Sequence, residues 1–585
     1  MQLRNQVEWV LHAAAVLAGL PRGRYLPTKV LATFHGIPKE YLSKALQALS
    51  QAGLVESSLG PGGGYRLAAR PEDISFLDIV EAVEGKAPLF LCRDIRANNP
   101  CLPEGYCPKD MCPVAKVMLR ADRAWRASLA ETSLADLAPE VVEGLGPELY
   151  EATRNWLMLC VNNVRTTDRV PMRNTDWFNY GGVYREVSLV ETPESLIRDF
   201  FIYLDPESRN NALRVHVEAE GADTATVSIP ELGIKENIPL TDGKGETVIE
   251  AGPILWSPDK PKLYDVTVMA GQDRVNDRVG FRTIVRKGRE LLLNGKPLWL
   301  RGISVHEDDA KLGKVVTEDD LRRRYADAKE MGCNFVRLAH YPHHERAVEL
   351  ADEAGLLVWA EIPVYWAIDF ANPATERDAQ NQLIELIRRD RNRASVAIWS
   401  VGNENADTDA RLAFMRGLAE TARAEDPTRL IAAACLVNHA KLKIEDRLAA
   451  HLDIIGINEY YGWYDEDFSE LPKILANSQP DRPVVISETG ADADITEHGP
   501  KSGLFSEDYQ AEVYEKQIST LRDLDFVKGM SPWILYDFRT ERRQGIFQRG
   551  FNRKGLVAAD KVTRKKSFAV LQEFYRAVAA EEVEE

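Results

Sequence analysis

Two glutamates are spaced as a pair of carboxyl groups working on one bond would be. Glu404 lies in WSVGNEN and Glu488 in VVISETG, and each follows a short apolar run of the kind that makes a buried strand. They are 84 positions apart, which matches three strand-helix units of about 28 residues each. Two carboxyls facing each other across a pocket can do one specific job: one protonates a leaving oxygen while the other attacks an anomeric carbon. A separation of about 5 to 5.5 Å would give retention of configuration.

A second group of reactive side chains lies far upstream. Four of the seven cysteines, Cys92, Cys101, Cys107 and Cys112, crowd into one segment. That spacing suits a metal better than a disulfide framework and makes the cytoplasm the expected compartment.

The elements that must carry these groups follow from hydrophobic periodicity. Eight apolar runs, at 298–303, 334–338, 357–361, 397–401, 430–434, 454–457, 484–487 and 532–536, alternate with amphipathic helical stretches. This predicts a (β/α)8 barrel whose reactive residues sit just after the strands. The polar residues Asn403, Glu404, Asn458, Tyr460 and Glu488 fall there. Upstream, 195–285 carries short alternating runs such as ALRVHVEAE and LYDVTVMA, which read as a small antiparallel sandwich.

With 45% hydrophobic and 28% charged residues over 585 positions, the chain is expected to form several soluble domains. No run approaches the roughly 20 apolar residues of a membrane span. The net charge of −17 argues against nucleic-acid binding by the whole surface. The first seventy residues reverse that sign, with eight Lys/Arg against three Glu.

That basic segment reads as helices over 5–19, 27–34 and 38–52, with Gly36 at the turn between the last two, followed by a two-stranded wing around GPGGGYRL. Lys39, Tyr41, Ser43 and Lys44 lie on the second helix of a helix-turn-helix layout, and Arg66 lies on the wing, all candidates for DNA contact. Through YLSKALQALSQAGLVES, GPGGGYRLA and ISFLDIVEAVEG, residues 1–140 resemble the IscR/NsrR-like iron-sulfur winged-helix regulators. The resemblance implies DNA binding as a dimer through a long helix at 113–134. It also implies an iron-sulfur cluster on Cys92, Cys101 and Cys107, with Cys112 as a further candidate.

After a junction at 141–160, the phrase NTDWFNYGGVYREVSLVE resembles the end of the sugar-binding sandwich of glycoside hydrolase family 2, and 161–192 is expected to be a partial jelly-roll fragment. Residues 193–285 resemble that family's immunoglobulin-like domain, and 286–580 its barrel. The resemblance makes Glu404 the acid/base and Glu488 the nucleophile, with Asn403, His340, Asn458, Tyr460, Tyr464 and Trp533 around the sugar and no cofactor. Asn552 and Lys554 in FNRKGL resemble the carboxylate-reading pair of β-glucuronidases, and Asp176 the matching hydroxyl contact. Where those enzymes carry another basic residue shortly before the Asn, this chain has Gln548 and then Arg549.

The expectation is therefore a multidomain, oligomeric chain: a winged helix, β-sandwich elements and a (β/α)8 barrel acting on a β-glucuronide. A β-galactosidase-like specificity, or a regulator with an inactive sugar-sensing barrel, are the alternatives.

Overall fold

The computed structural model describes the chain except for residues 1–4, 20–23, 59–62, 89, 94, 99–100, 102–108, 138–160, 189, 209, 466, 500–502, 523 and 585. It divides into two compact units, Met1–Cys160 and Val161–Glu585. Among the described residues no helix is long and apolar enough to cross a membrane.

In the first unit, helices α1 (Asn5–Ala18), α2 (Thr28–His35) and α3 (Lys39–Gln51) precede the hairpin β1 (Val55–Ser58) and β2 (Gly64–Leu67). Gly36 ends α2 in the left-handed region at φ 65°, which lets α3 start three residues later. Val10, Ala14 and Leu17 of α1 meet Leu42, Leu46 and Leu49 of α3 in one core, so the opposite face of α3 is turned to solvent. Helix α4 (Phe76–Glu84) opens with a Ser75–Asp78 capping box, and α5 (Pro113–Ala130) follows. The long helix thus stops before Leu134, which is buried in the same core.

The second unit begins without regular structure. None of the described residues in 161–192 forms a strand, contrary to the alternation in REVSLVE. A strand needs a neighbour to receive its backbone groups, and among the described residues none of this segment pairs with a strand. Side-chain and backbone bonds to the barrel's loops fix the segment instead. Gln382 and Thr375 donate to the carbonyls of Val170 and Asp168, Tyr180 to Asp308 and Arg185 to Glu307. We call this segment the strap.

Two antiparallel sheets follow. The first orders Leu196–Leu204, Ala212–Glu220 and Lys244–Glu250; the second orders Ile234–Pro239, Thr224–Ile229, Tyr264–Ala270 and Asp273–Val279. Their inward residues form one apolar core, as the alternation predicts. Trp256, fully buried, donates from Nε1 to the Asp352 carbonyl and ties the sandwich to the barrel.

The barrel closes. Its first strand is split into Leu300–Arg301, which pairs with the eighth strand, and Ser304–Val305, which pairs with the second. The second to seventh strands are Phe335–Leu338, Leu357–Glu361, Val396–Asn403, Leu430–Cys435, Ile454–Asn458 and Val484–Glu488, all parallel. The eighth is Val527–Met530 and not the more apolar 532–536. At Gly529 a Cβ would lie 2.7 Å from the Leu300 carbonyl oxygen, so only glycine permits this closure, and hydrophobicity alone misses it. The run 532–536 lies just beyond that strand, which places Trp533 in the loop at the barrel mouth.

Candidate active site

Glu488 ends the seventh strand, and Glu404 directly follows the fourth, both at the strands' C-terminal ends. Glu404 has φ 53°, a conformation non-glycine residues adopt only where surroundings enforce it. Here Asn403 accepts from the Trp366 backbone through its carbonyl, and Glu404 donates its own N–H to Ala434.

The two carboxyls differ in their partners. Glu488 Oε1 receives Arg337 Nη1 at 2.8 Å, and its Oε2 receives the Tyr460 hydroxyl at 2.7 Å. Such bonds stabilise a carboxylate and fix its orientation. Glu404 Oε2 receives Trp366 Nε1 at 2.7 Å, and Asn458 is a further donor to this carboxyl. Burial, and then the nearby charge of Glu488, push the Glu404 carboxyl above its ordinary range against those bonds. One carboxyl is thus held by two donors, and the other is biased toward keeping its proton.

Arg337, fully buried in the second strand, organises this floor. It also donates from Nη2 to Asn403 Oδ1 at 2.7 Å and pairs with Glu361 at 3.1 Å. Burial alone would raise Glu361, but the Arg337 charge and the His340 bond outweigh it and hold Glu361 at about 2. His340 Nδ1 lies 2.7 Å from Glu361 Oε1, and its Nε2 lies 3.5 Å from Glu488 Oε1. Asn458 donates to Asn403 Oδ1 at 3.2 Å, and the Asn403 side-chain nitrogen is left buried with no acceptor among the described residues. An amide held this way is available to a substrate oxygen.

Aromatic rings wall the pocket. His340 stacks on Trp533 with centroids 4.8 Å apart, and Trp177 of the strap packs against His340 and Tyr365. Tyr460 and Tyr464 meet edge to face at 5.1 Å, carrying the site outward to the loop that holds Asn552 and Lys554.

Lys554 is 1% exposed, with Nζ 3.1 Å from Asp492 and 3.0 Å from the Tyr464 hydroxyl. Burial alone would lower its pKa, but Asp492 and Tyr464 together more than offset this and keep the ammonium charged. Asn552 donates to Asp176 at 3.3 Å, and Arg543 pairs with the same carboxylate at 2.6 Å. The second unit therefore gathers all eleven residues expected at the sugar site. Arg337, Glu361, Trp366, Asp492 and Arg543 join them unannounced, and the signal available for Arg337 was an arginine inside the apolar run NFVRLAHY.

In the first unit Lys39, Tyr41 and Lys44 are exposed on α3, and Ser43 is half-buried. Arg66 bonds Glu56 at 2.7 Å and lies over the Tyr25 ring. Cys92 and Cys101 are exposed, Cys112 is half-buried, and Cys107 lies outside the described residues. Among the described residues no group of three metal-binding side chains converges.

Known proteins resemble each part. The family model described as glycosyl hydrolases family 2, TIM barrel domain, matches residues 284–580, and the glycosyl hydrolases family 2 model matches 196–282. The iron-dependent transcriptional regulator model matches 3–140. The β-glucuronidase of Paenibacillus borealis is 30% identical over 441 residues, covering 69% of this chain and 72% of that protein. The β-galacturonidase of Eisenbergiella tayi, solved with galacturonate, is 25% identical at a TM-score of 0.64, covering 71% of this chain and 78% of that one. The Ruminococcus gnavus β-glucuronidase complexed with D-glucuronic acid is 25% identical at a TM-score of 0.63, covering 71% and 76%. With over half its length in the barrel model and its paired carboxyls at the barrel mouth, the chain belongs to glycoside hydrolase family 2, joined to an iron-dependent transcriptional regulator domain.

Proposed function

We propose that the chain is a retaining exo-β-glucuronidase and that its first unit binds DNA. The observation that carries the sugar assignment is Lys554, a charged ammonium buried beside the sugar-site aromatics Tyr460 and Tyr464. A neutral hexose gives such a cation nothing to bind, whereas a uronate carboxylate does.

The reaction runs in two displacements. Glu404 gives its proton to the glycosidic oxygen while a Glu488 carboxylate oxygen bonds to the anomeric carbon, and the aglycone leaves with that proton. Glu404, now ionised, takes a proton from water, whose oxygen attacks the anomeric carbon and releases Glu488. The raised pKa of Glu404 and the two donors on Glu488 support this division of roles. The unpaired nitrogen of Asn403 supports a hydroxyl contact next to the reacting carbon.

The test is hydrolysis of paired aryl β-D-glucuronide and aryl β-D-galactoside substrates by the intact chain, with Glu488→Gln as the blank. Glucuronide turnover that vanishes in the blank is the expected result, with the β-anomer appearing first in the NMR spectrum. Preferential galactoside turnover would overturn the sugar assignment, and an α-anomer formed first would overturn retention.

For the first unit, the exposed Lys39, Tyr41 and Lys44 of α3 beside a two-stranded wing support a helix laid in a DNA groove.

A further inference from the structure

Lys554 is held in place through its two neighbours in the chain. The carbonyl of Arg553, just before it, accepts Lys565 Nζ at 2.7 Å, and the N–H of Gly555, just after it, donates to Asp537 Oδ1 at 2.9 Å. Lys565 and Asp537 are themselves an ion pair at 2.8 Å with fully buried side chains. One ion pair therefore clamps the peptide units on both sides of Lys554. Gly555 lets the clamp close, since a Cβ there would lie 2.5 Å from Asp537 Oδ1.

The same ammonium reaches the other half of the Lys554 pair. Its third bond goes to the Ala493 carbonyl at 2.8 Å, one residue after Asp492, the carboxylate that pairs with Lys554. The Ala493 N–H in turn donates to the Arg553 carbonyl at 3.0 Å. With three donors on three acceptors the ammonium is saturated. It fastens the loop after the seventh strand, the loop after the eighth and the 552–555 segment at a single point. A buried ion pair is a poor source of net stability, because desolvation offsets the attraction. What this one supplies is placement: apart from the pair itself, each bond falls on a peptide group adjoining Lys554 or Asp492.

Resting on the glucuronidase reading, we propose that Lys565 and Asp537 are positioning residues that set where the Lys554 ammonium stands, and thereby the affinity for a uronate, without touching the substrate.

The experiment measures kcat and KM on an aryl β-D-glucuronide for the full chain, for Lys565→Met and for Lys565→Met combined with Asp537→Asn. Each is made with Lys554 present and with Lys554→Ala. Removing only the lysine strands a buried carboxylate, so the combined change decides the matter if the single variant does not fold: it removes both charges and keeps an acceptor for Gly555. With Lys554 present, KM should rise roughly tenfold, the size of a weakened charge-assisted bond, and the loss in kcat/KM should fall mainly on KM. With Lys554→Ala the same changes should alter kcat/KM by less than about twofold, because no cation remains to be placed. Equal losses in both backgrounds would overturn the proposal, as would a fall in kcat at constant KM, which is what less folded enzyme gives. In either case, wild-type glucuronide turnover that Lys554→Ala weakens leaves the glucuronidase reading standing; a wild type inert on glucuronides sinks both.

Discussion

At the scale of single residues, the two catalytic carboxyls are told apart by what surrounds them. Glu404 receives bonds from Trp366 and Asn458, which oppose the rise that burial and Glu488 impose. Trp366→Phe removes the stronger of the two donors that favour the ionised form, so the Glu404 pKa should rise further. Because the first displacement needs Glu404 protonated, the alkaline limb of the kcat/KM profile should move to higher pH. An unmoved limb would mean that another group sets it. Glu404→Gln should cost poor leaving groups about 10²–10⁴-fold and activated aryl leaving groups far less, since the latter need little protonation. Comparing an alkyl with a nitrophenyl glycoside checks this. Both glutamates and their neighbours were legible in the sequence because short phrases around them carry the chemistry. Arg337 and Trp366 were not, because a buried arginine and a loop tryptophan acquire meaning only once the barrel brings them to the carboxyls from other strands.

At the scale of elements, the barrel's buried strands stood out as apolar runs. The eighth did not, because Lys528 and Gly529 dilute its hydrophobicity: the lysine reaches out to Glu290, and the glycine is required by the close approach of the first strand. The sixth strand continues into a different feature. Glu459 is buried, its Oε2 accepting from Gln517 and from the Tyr461 backbone, and burial pushes its pKa up to about 8. The folded state therefore keeps a proton that the unfolded chain releases above about pH 4.3. Stability from this group is full below that pH and is lost as pH rises toward 8, by an amount on the order of a few kcal/mol. Glu459→Gln should flatten the fall in Tm between pH 5 and 8. A fall as steep as the wild type's would assign it to other groups.

At the scale of the whole molecule, a chain of net charge −17 is basic over the first seventy residues of its first unit, with eight Lys/Arg against three Glu. The composition shift made that unit legible, as did the turn glycine Gly36 and the helix periodicity. The cluster expectation came from the cysteine spacing and from the resemblance to iron-sulfur regulators, and one of its three thiols, Cys107, lies outside the described residues. If α3 meets a phosphate backbone, Lys44→Ala should weaken DNA binding by the full chain and reduce the slope of log K against log salt by about one. An unchanged slope would place the contact on another face.

The strap has a consequence for how the molecule fails. It supplies Trp177 and Asp176 to the pocket, yet none of its described residues belongs to a sheet or helix, and side-chain bonds to barrel loops fasten it. Segments held this way open with less free energy than the strands beneath them. Catalysis and folding are therefore separable under mild denaturant: turnover should fade at urea concentrations that leave the barrel's circular dichroism intact, and return on dilution without a refolding lag.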